Sequence, residues 1–279
     1  MRLADGTPVP LLGQGTWRMG DDPAKEREEI ATLRRGIELG MSLLDTAEMY
    51  GDGRAETLVG KAIAGLRDAV FLVSKVLPHH AGGDALQRSC EASLRRLQVE
   101  CLDLYLLHWP GSIPYAETVA GMEKLVAAGK IRRWGVSNLD AREMKRLYAV
   151  AGGEGCMVNQ VLYHLGSRGI EYELWPWLAR HGVALMAYCP LAQAGRLRED
   201  LLHHAAILAV AEALQATPMQ VLLAWVMRNG NAMAIPKASS LAHVAENARA
   251  ATLVLDAAQC ALLDEAFPPP RRPVPLDIV

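Results

Sequence analysis

The sequence predicts an α/β fold: a (β/α)8 TIM barrel, formed as one domain over residues 1–279, with an N-terminal β-hairpin capping its bottom. Three observations carry that expectation. Eight short strand-like runs recur, several of them apolar nearly throughout instead of alternating, as in strands of a parallel sheet buried on both faces. The segments between them show helical periodicity, with capping residues at their starts and glycine at their ends. The polar residues that close the first four runs recur about every 30 residues, the length of a βα unit, and no low-complexity linker interrupts the series.

The elements follow in order. Residues 2–11 read as a hairpin turning at Asp5-Gly6, placed across the barrel floor. The strand-like runs are 41–46, 70–75, 102–108, 131–138, 157–163, 183–190, 232–237 and 251–255. Asp22-Pro23 opens a helix with Ile30, Leu33 and Ile37 on one face and Gly40 at its end. Asp84 to Gln87, Asp140 to Glu143 and Thr217 to Gln220 have the spacing of capping boxes, and Gly65, Gly129 and Gly182 sit where a glycine would close a helix. The long interval between Tyr188 and Lys237 leaves room for one extra helix over 201–215, and the proline-rich tail from Pro268 reads as extended chain.

Composition narrows the function. Apolar residues make up 51% and charged residues 22%, which excludes disordered and collagen-like chains. Lys plus Arg number 29 against 31 for Asp plus Glu, a net charge of −2 that gives no reason to expect nucleic acid or an anionic membrane as partner. Cys90, Cys101, Cys156, Cys189 and Cys260 are odd in number and widely spaced, as for reduced thiols. No apolar run approaches the roughly 18 residues of a membrane span, and the first residues lack the apolar core of a signal peptide. The expectation is a cytoplasmic monomer acting on a small molecule.

In a (β/α)8 barrel reactive groups come from the C-terminal ends of different strands. The first three apolar runs end in Asp45, Lys75 and His108, and Tyr50 follows Asp45 in the first loop. Three consecutive strand ends plus a tyrosine outweigh the bland reading of polar strand termini. A tyrosine hydroxyl is a weak acid, but a neighbouring ammonium favours its phenolate, so Lys75 is expected to lower the pKa of Tyr50. Asp45 would hold the lysine in place and protonated, and His108 would orient a carbonyl oxygen. This set can protonate an oxygen that has just received a hydride. His79-His80 and His203-His204 are adjacent pairs that do not face one another on a helix, and no metal is expected.

Read together, these residues resemble the aldo-keto reductase family, most of all its bacterial methylglyoxal reductase branch. The resemblance runs from Gly13-Gln14-Gly15-Thr16-Trp17 through Leu44-Asp45-Thr46-Ala47-Glu48-Met49-Tyr50-Gly51, Ser74-Lys75, Leu104-Tyr105-Leu106-Leu107-His108-Trp109 and Gly135-Val136-Ser137-Asn138 to Ile235-Pro236-Lys237. It implies a catalytic tetrad of Asp45, Tyr50, Lys75 and His108, with Tyr50 as general acid. It also implies an extended NADP(H), with Gly15, Thr16, Trp17 and Asp45 at its reactive end. Ser137, Asn138 and Gln160 would hold the nicotinamide carboxamide, and Tyr188 would stack on the ring. Pro190, Leu191, Gln193, Gly195 and Arg196 would meet the pyrophosphate, and Pro236, Lys237, Ala238, Ser239, His243, Glu246 and Asn247 the adenosine end. Trp17, Tyr50, Leu77, His108 and Trp109 would line the substrate pocket.

Two departures bear on selectivity. Where relatives often carry Ser and Arg around the 2′-phosphate this chain has Ala238 and His243, so NADPH is preferred with NADH possible. Leu77 replaces a frequent pocket tryptophan, and the short tail leaves an open site. Two other readings use part of the set: a lyase forming a Schiff base on Lys75, and an NADPH-binding redox sensor without turnover.

Overall fold

The computed structural model describes residues 1–278. Eight parallel strands pair in sequence order: β1 (Gly13–Gly15), β2 (Leu43–Asp45), β3 (Phe71–Val76), β4 (Leu104–Leu107), β5 (Trp134–Ser137), β6 (Val158–Leu162), β7 (Ala184–Tyr188) and β8 (Ala232–Ala234). The ring closes between β8 and β1 through a bridge from Leu12 to Ala234, with Ala234 N donating to Leu11 O at 2.7 Å and Gly15 N to Pro236 O at 3.1 Å. The helices α1 (Glu26–Glu38), α2 (Arg54–Ala62), α3 (Gly83–Leu97), α4 (Tyr115–Ala127), α5 (Ala141–Tyr148), α6 (Leu174–His181), α7 (Arg196–Leu202), α8 (Ala205–Ala213), α9 (Pro218–Met227), α10 (Leu241–Arg249) and α11 (Ala257–Ala266) complete the chain.

Every strand residue is buried or nearly so, but strand period two sorts them into two cores. Leu43, Phe71, Val73, Leu104, Leu106, Val158, Ala184, Met186 and Met233 fill the barrel interior, while Leu44, Leu72, Tyr105, Leu107, Val161, Leu185 and Ala187 face the helices. This is why the runs are uninterrupted. The hairpin bridges Arg2 to Pro8 and carries Leu3 and Val9 into the interior cluster from below, where Arg133 clips it through Asp5 and Thr7.

Four expectations are corrected. The first strand is Gly13–Gly15, which has no apolar run to announce it; a Cβ on Gly13 would overlap the side chain and carbonyl of Leu43. Residues 251–255 are not a strand but a 3-10 turn (Ala250–Thr252) and a coil on the barrel's outside, with Val254 82% exposed. The expected extra helix at 201–215 is the pair α7 and α8, broken at His203-His204, where the extended His204 caps α8 by accepting Ala206 N on its ring Nδ1. Asp84 lies in the first turn of α3, whose N-cap is Gly82, so it forms no capping box; Thr217 and Gln220 form one on α9. Asp140 caps α5 by accepting Glu143 N, but the Glu143 carboxylate bonds Tyr115 and Arg146 and completes no capping box; Gly65, Gly129 and Gly182 all have positive φ. Among the described residues no single helix is long and apolar enough to cross a membrane.

Candidate active site

The inward register that fills the barrel also positions the site. Counting by twos from Leu43, Val73, Leu106, Val158 and Met186 reaches Asp45, Lys75, His108, Gln160 and Tyr188; Asp45 and Tyr188 end their strands, Lys75 is the last residue but one of β3, His108 directly follows β4, and Gln160 sits in the middle of β6. The outward register puts Ser74 behind Lys75, where it donates to the buried Glu56 at 2.5 Å.

Lys75 is fully buried, and its Nζ donates to Asp45 Oδ2 at 2.7 Å, to Thr46 O at 2.9 Å and to Tyr50 OH at 3.1 Å. Three protons thus have three acceptors. The other carboxylate oxygen of Asp45 accepts Gln160 Nε2 at 2.7 Å, so Gln160 belongs to the tetrad's own network as well as to the expected cofactor row. Burial works to lower the Lys75 pKa, but Asp45 and Tyr50 outweigh it and the net shift is upward. For Tyr50 the balance runs against expectation: burial raises its pKa, the Lys75 charge offsets that only in part, and the net is above the ordinary phenol value. Tyr50 is therefore protonated at neutral pH. Burial, with the Lys75 charge behind it, pushes the His108 pKa down to about 2, so its imidazole is neutral; Nδ1 is enclosed with no partner among the described residues, which leaves Nε2 for a ligand.

Aromatic rings frame the phenol. Trp17, 47% exposed, meets Tyr50 edge-on at 5.1 Å, Tyr50 meets His108 at 5.7 Å, and His108 meets Trp109 at 4.7 Å. Leu77 is half-buried just past β3. Beside the tetrad lies a polar row from the next strands. Tyr188 OH donates to Asn138 Oδ1 at 2.9 Å, Asn138 Nδ2 lies 3.2 Å from His108 O and 3.3 Å from Ser137 Oγ, and Ser137 Oγ donates to Gln160 O at 2.8 Å. Asn138 and Cys189 both adopt left-handed backbone conformations, with φ of 61° and 49°. A carboxamide, with one donor face and one acceptor face, fits a row of this chemistry.

The remaining expected residues spread along one rim. Gly15 and Pro236 face each other across the closing seam, with Thr16 buried alongside and its hydroxyl on Asp45 O at 2.9 Å. Pro190 and Leu191 are buried, whereas Gln193 and Gly195 are exposed on the loop before α7. Gly195 has φ 129°, and the position of its missing Cβ opens on empty space. Arg196 points into solvent with a side chain 94% exposed; Arg198, which sequence reasoning missed, holds the loop by donating to Leu191 O and Ala192 O. Lys237 is exposed yet its pKa is lowered, by partial desolvation first, while Arg18 and Lys25 add like charge against Glu29 and Asp21. That gathering of cations suits a phosphate. Ala238 is half-buried, Ser239 and His243 are exposed, and Glu246 and Asn247 lie on the inner side of α10. Glu48 was also missed as a functional candidate; its position between Asp45 and Tyr50 was the available signal.

The sequence model described as Aldo/keto reductase family matches residues 11–267. The chain is 56% identical over 271 residues to methylglyoxal reductase YeaE of Escherichia coli (strain K12), covering 97% of this chain and 95% of that protein. It is 32% identical over 248 residues to glyoxal reductase of Bacillus subtilis (strain 168), covering 89% and 85%. An aldo/keto reductase of Klebsiella pneumoniae, solved in complex with NADP and acetate, matches with TM-score 0.97 and 57% identity over 100% of this chain and 98% of that one.

Proposed function

The chain belongs to the aldo/keto reductase family, and from that premise we propose that it reduces small aldehydes and α-oxoaldehydes, methylglyoxal among them, to alcohols with NADPH. The observation that carries the reading is the three-way ammonium: Lys75 donates to Asp45, Thr46 and Tyr50 at once. NADPH held there would supply the hydride from its nicotinamide. Tyr50, protonated at neutral pH, supplies the proton to the oxygen, and the phenolate left behind meets a full positive charge 3.1 Å away. Neutral His108 donates from Nε2 to the carbonyl oxygen and orients it. Asp45, fixed by Gln160, keeps Lys75 charged.

The same geometry gives the Schiff-base reading no support, because an ammonium with all three protons bonded has no lone pair to attack a carbonyl. Ser137, Asn138, Gln160 and Tyr188 would hold the nicotinamide, the loop 190–196 the pyrophosphate, and Lys237 with His243 the 2′-phosphate. A histidine where a bidentate arginine could stand makes discrimination against NADH modest. The relatives named above as methylglyoxal and glyoxal reductases support the substrate class. The protein acts as a single-domain monomer in the cytosol; its five cysteines are all free, and burial raises the Cys90 and Cys156 thiols to about 12.

The test is loss of reduced-nicotinamide absorbance with methylglyoxal, run with NADPH and with NADH. Tyr50→Phe is expected to bind NADPH as the native chain does and to lose about 10²–10⁴-fold in kcat. Full turnover by Tyr50→Phe would overturn the mechanism, and NADPH binding without turnover of any carbonyl compound would favour the sensor.

A further inference from the structure

The segment that carries Tyr50 is tied to strand β3 both inside the site and behind it. Inside, Tyr50 OH meets Lys75 Nζ. Behind, the tie is Glu48, whose side chain is only 8% exposed although it lies on a loop. Its backbone N–H donates to Lys75 O at 3.3 Å, and its carboxylate Oε1 accepts the N–H of Leu77 at 2.7 Å. One residue therefore grips the β3 backbone on both sides of Val76. The same oxygen lies 3.1 Å from His80 Nδ1, which lies 3.1 Å from Ser89 Oγ on α3. Between Leu77 and His80 the turn packs on the next loop, since a Cβ on Gly111 would come within 2.5 Å of Pro78 Cβ. That loop follows directly from Trp109.

We infer that Glu48 is a positioning residue for the reaction: it sets the Tyr50 loop against Lys75 and fixes the Leu77 wall of the substrate pocket, so that one carboxylate governs both proton delivery and the size of carbonyl accepted. The inference rests on the reductase reading above and deepens it. A carboxylate that accepts a backbone N–H in a nearly dry place makes a short, directional bond, stronger than a neutral acceptor in that place would make. Its loss frees the loop on one side and the wall on the other, and a displacement of about 1 Å at a reacting group costs up to about 10²-fold in rate. A carboxylate serving stability alone would lower the melting temperature and leave turnover per folded molecule and substrate preference where they were.

The experiment compares the native chain, Tyr50→Phe, Glu48→Ala and Glu48→Gln, with active molecules counted by NADPH binding, on methylglyoxal and on the bulkier phenylglyoxal. Glu48→Ala is expected to keep the native affinity for NADPH, to lose at least about tenfold in kcat on methylglyoxal, and to shift the phenylglyoxal to methylglyoxal ratio of kcat/KM by at least about threefold. Glu48→Gln, whose amide oxygen still accepts the Leu77 N–H, is expected to recover most of both. Native kcat and ratio in Glu48→Ala, or no recovery in Glu48→Gln, would overturn the inference. Should Glu48→Ala not fold, Leu77→Pro removes the donor instead, at a residue whose φ of −64° already suits proline. Its kcat is expected to fall about tenfold below that of Leu77→Ala, which keeps the N–H, and equality would overturn the inference. A native chain that turns over neither compound, or a Tyr50→Phe chain as active as the native one, would instead overturn the reductase reading itself.

Discussion

Lys75 owes its charge to its neighbours, and the neighbours owe their places to it. An ammonium with no exposed surface is tolerated only because Asp45 faces it at 2.7 Å. Asp45→Asn would leave that charge buried and uncompensated, and a loss of about 3–5 kcal/mol in urea unfolding is expected alongside the loss of turnover. Lys75's folded pKa lies above its unfolded value, so its contribution to stability is complete below the unfolded pKa and fades as pH rises through the folded one. His108 works in the opposite sense. With its folded pKa depressed to about 2, its contribution is complete above about 6.5 and is lost as pH falls toward 2. Two features of the kcat–pH profile follow: it shows no limb near 6.5 from His108, and it falls on the alkaline side, above the ordinary range of a phenol, as Tyr50 gives up its proton. A kcat limb near 6.5 that disappears in His108→Gln would contradict the first.

At the scale of elements, close approach between helices rests on small residues. Gly60 lies in the last turn of α2, where a Cβ would come within 2.7 Å of Leu97 O and 2.8 Å of Arg96 O on α3. Backbone carbonyls cannot rotate aside as a side chain would. Gly60→Ala is expected to cost about 1–3 kcal/mol in urea unfolding despite alanine's better helix propensity. The same scale shows what the sequence could and could not announce. The strands from β2 to β8 are legible because both faces are buried, and Asp45, Lys75 and His108 are legible because they stand at the ends of those strands on the inward register, with Tyr50 in the loop after Asp45. β1 is not, because Gly13 must lack a side chain where β2 passes, and a Gly-Gln-Gly strand has no apolar signature. Residues 251–255 mislead for the converse reason: their pattern is apolar, but Val254 is open to solvent. Arg198 and Glu48 act through backbone groups distant in sequence, which no local pattern records.

For the whole molecule, the chain's two ends are bound to opposite ends of the barrel. The hairpin fills the floor, while the tail after Phe267 lies on the loop that follows β6. Arg168 donates to Phe267 O at 2.6 Å and to Asp264 at 2.7 Å, Val274 packs on Gly169, and Ser167 donates to Asp277. These anchors make the tail a brace for that loop. Ending the chain after Phe267 is expected to lower stability by about 1–3 kcal/mol, through the apolar surface that Val274 and Leu276 cover, as read by the urea midpoint. An unchanged midpoint would show that the tail adds nothing.

The barrel's closing seam remains its thinnest join: Leu12 bridged to Ala234, with Gly15 N on Pro236 O. β1 emerges early in synthesis and its second neighbour only after more than two hundred residues, so until then it presents an unpaired edge. A dinucleotide lying as proposed would touch Gly15 and Thr16 on one side of that edge and Pro236 and Lys237 on the other. It would act as a clasp. Amide hydrogens of Gly15 and Ala234 are then expected to exchange more slowly when NADPH is added, while those of the opposite pairing, between β4 and β5, change little.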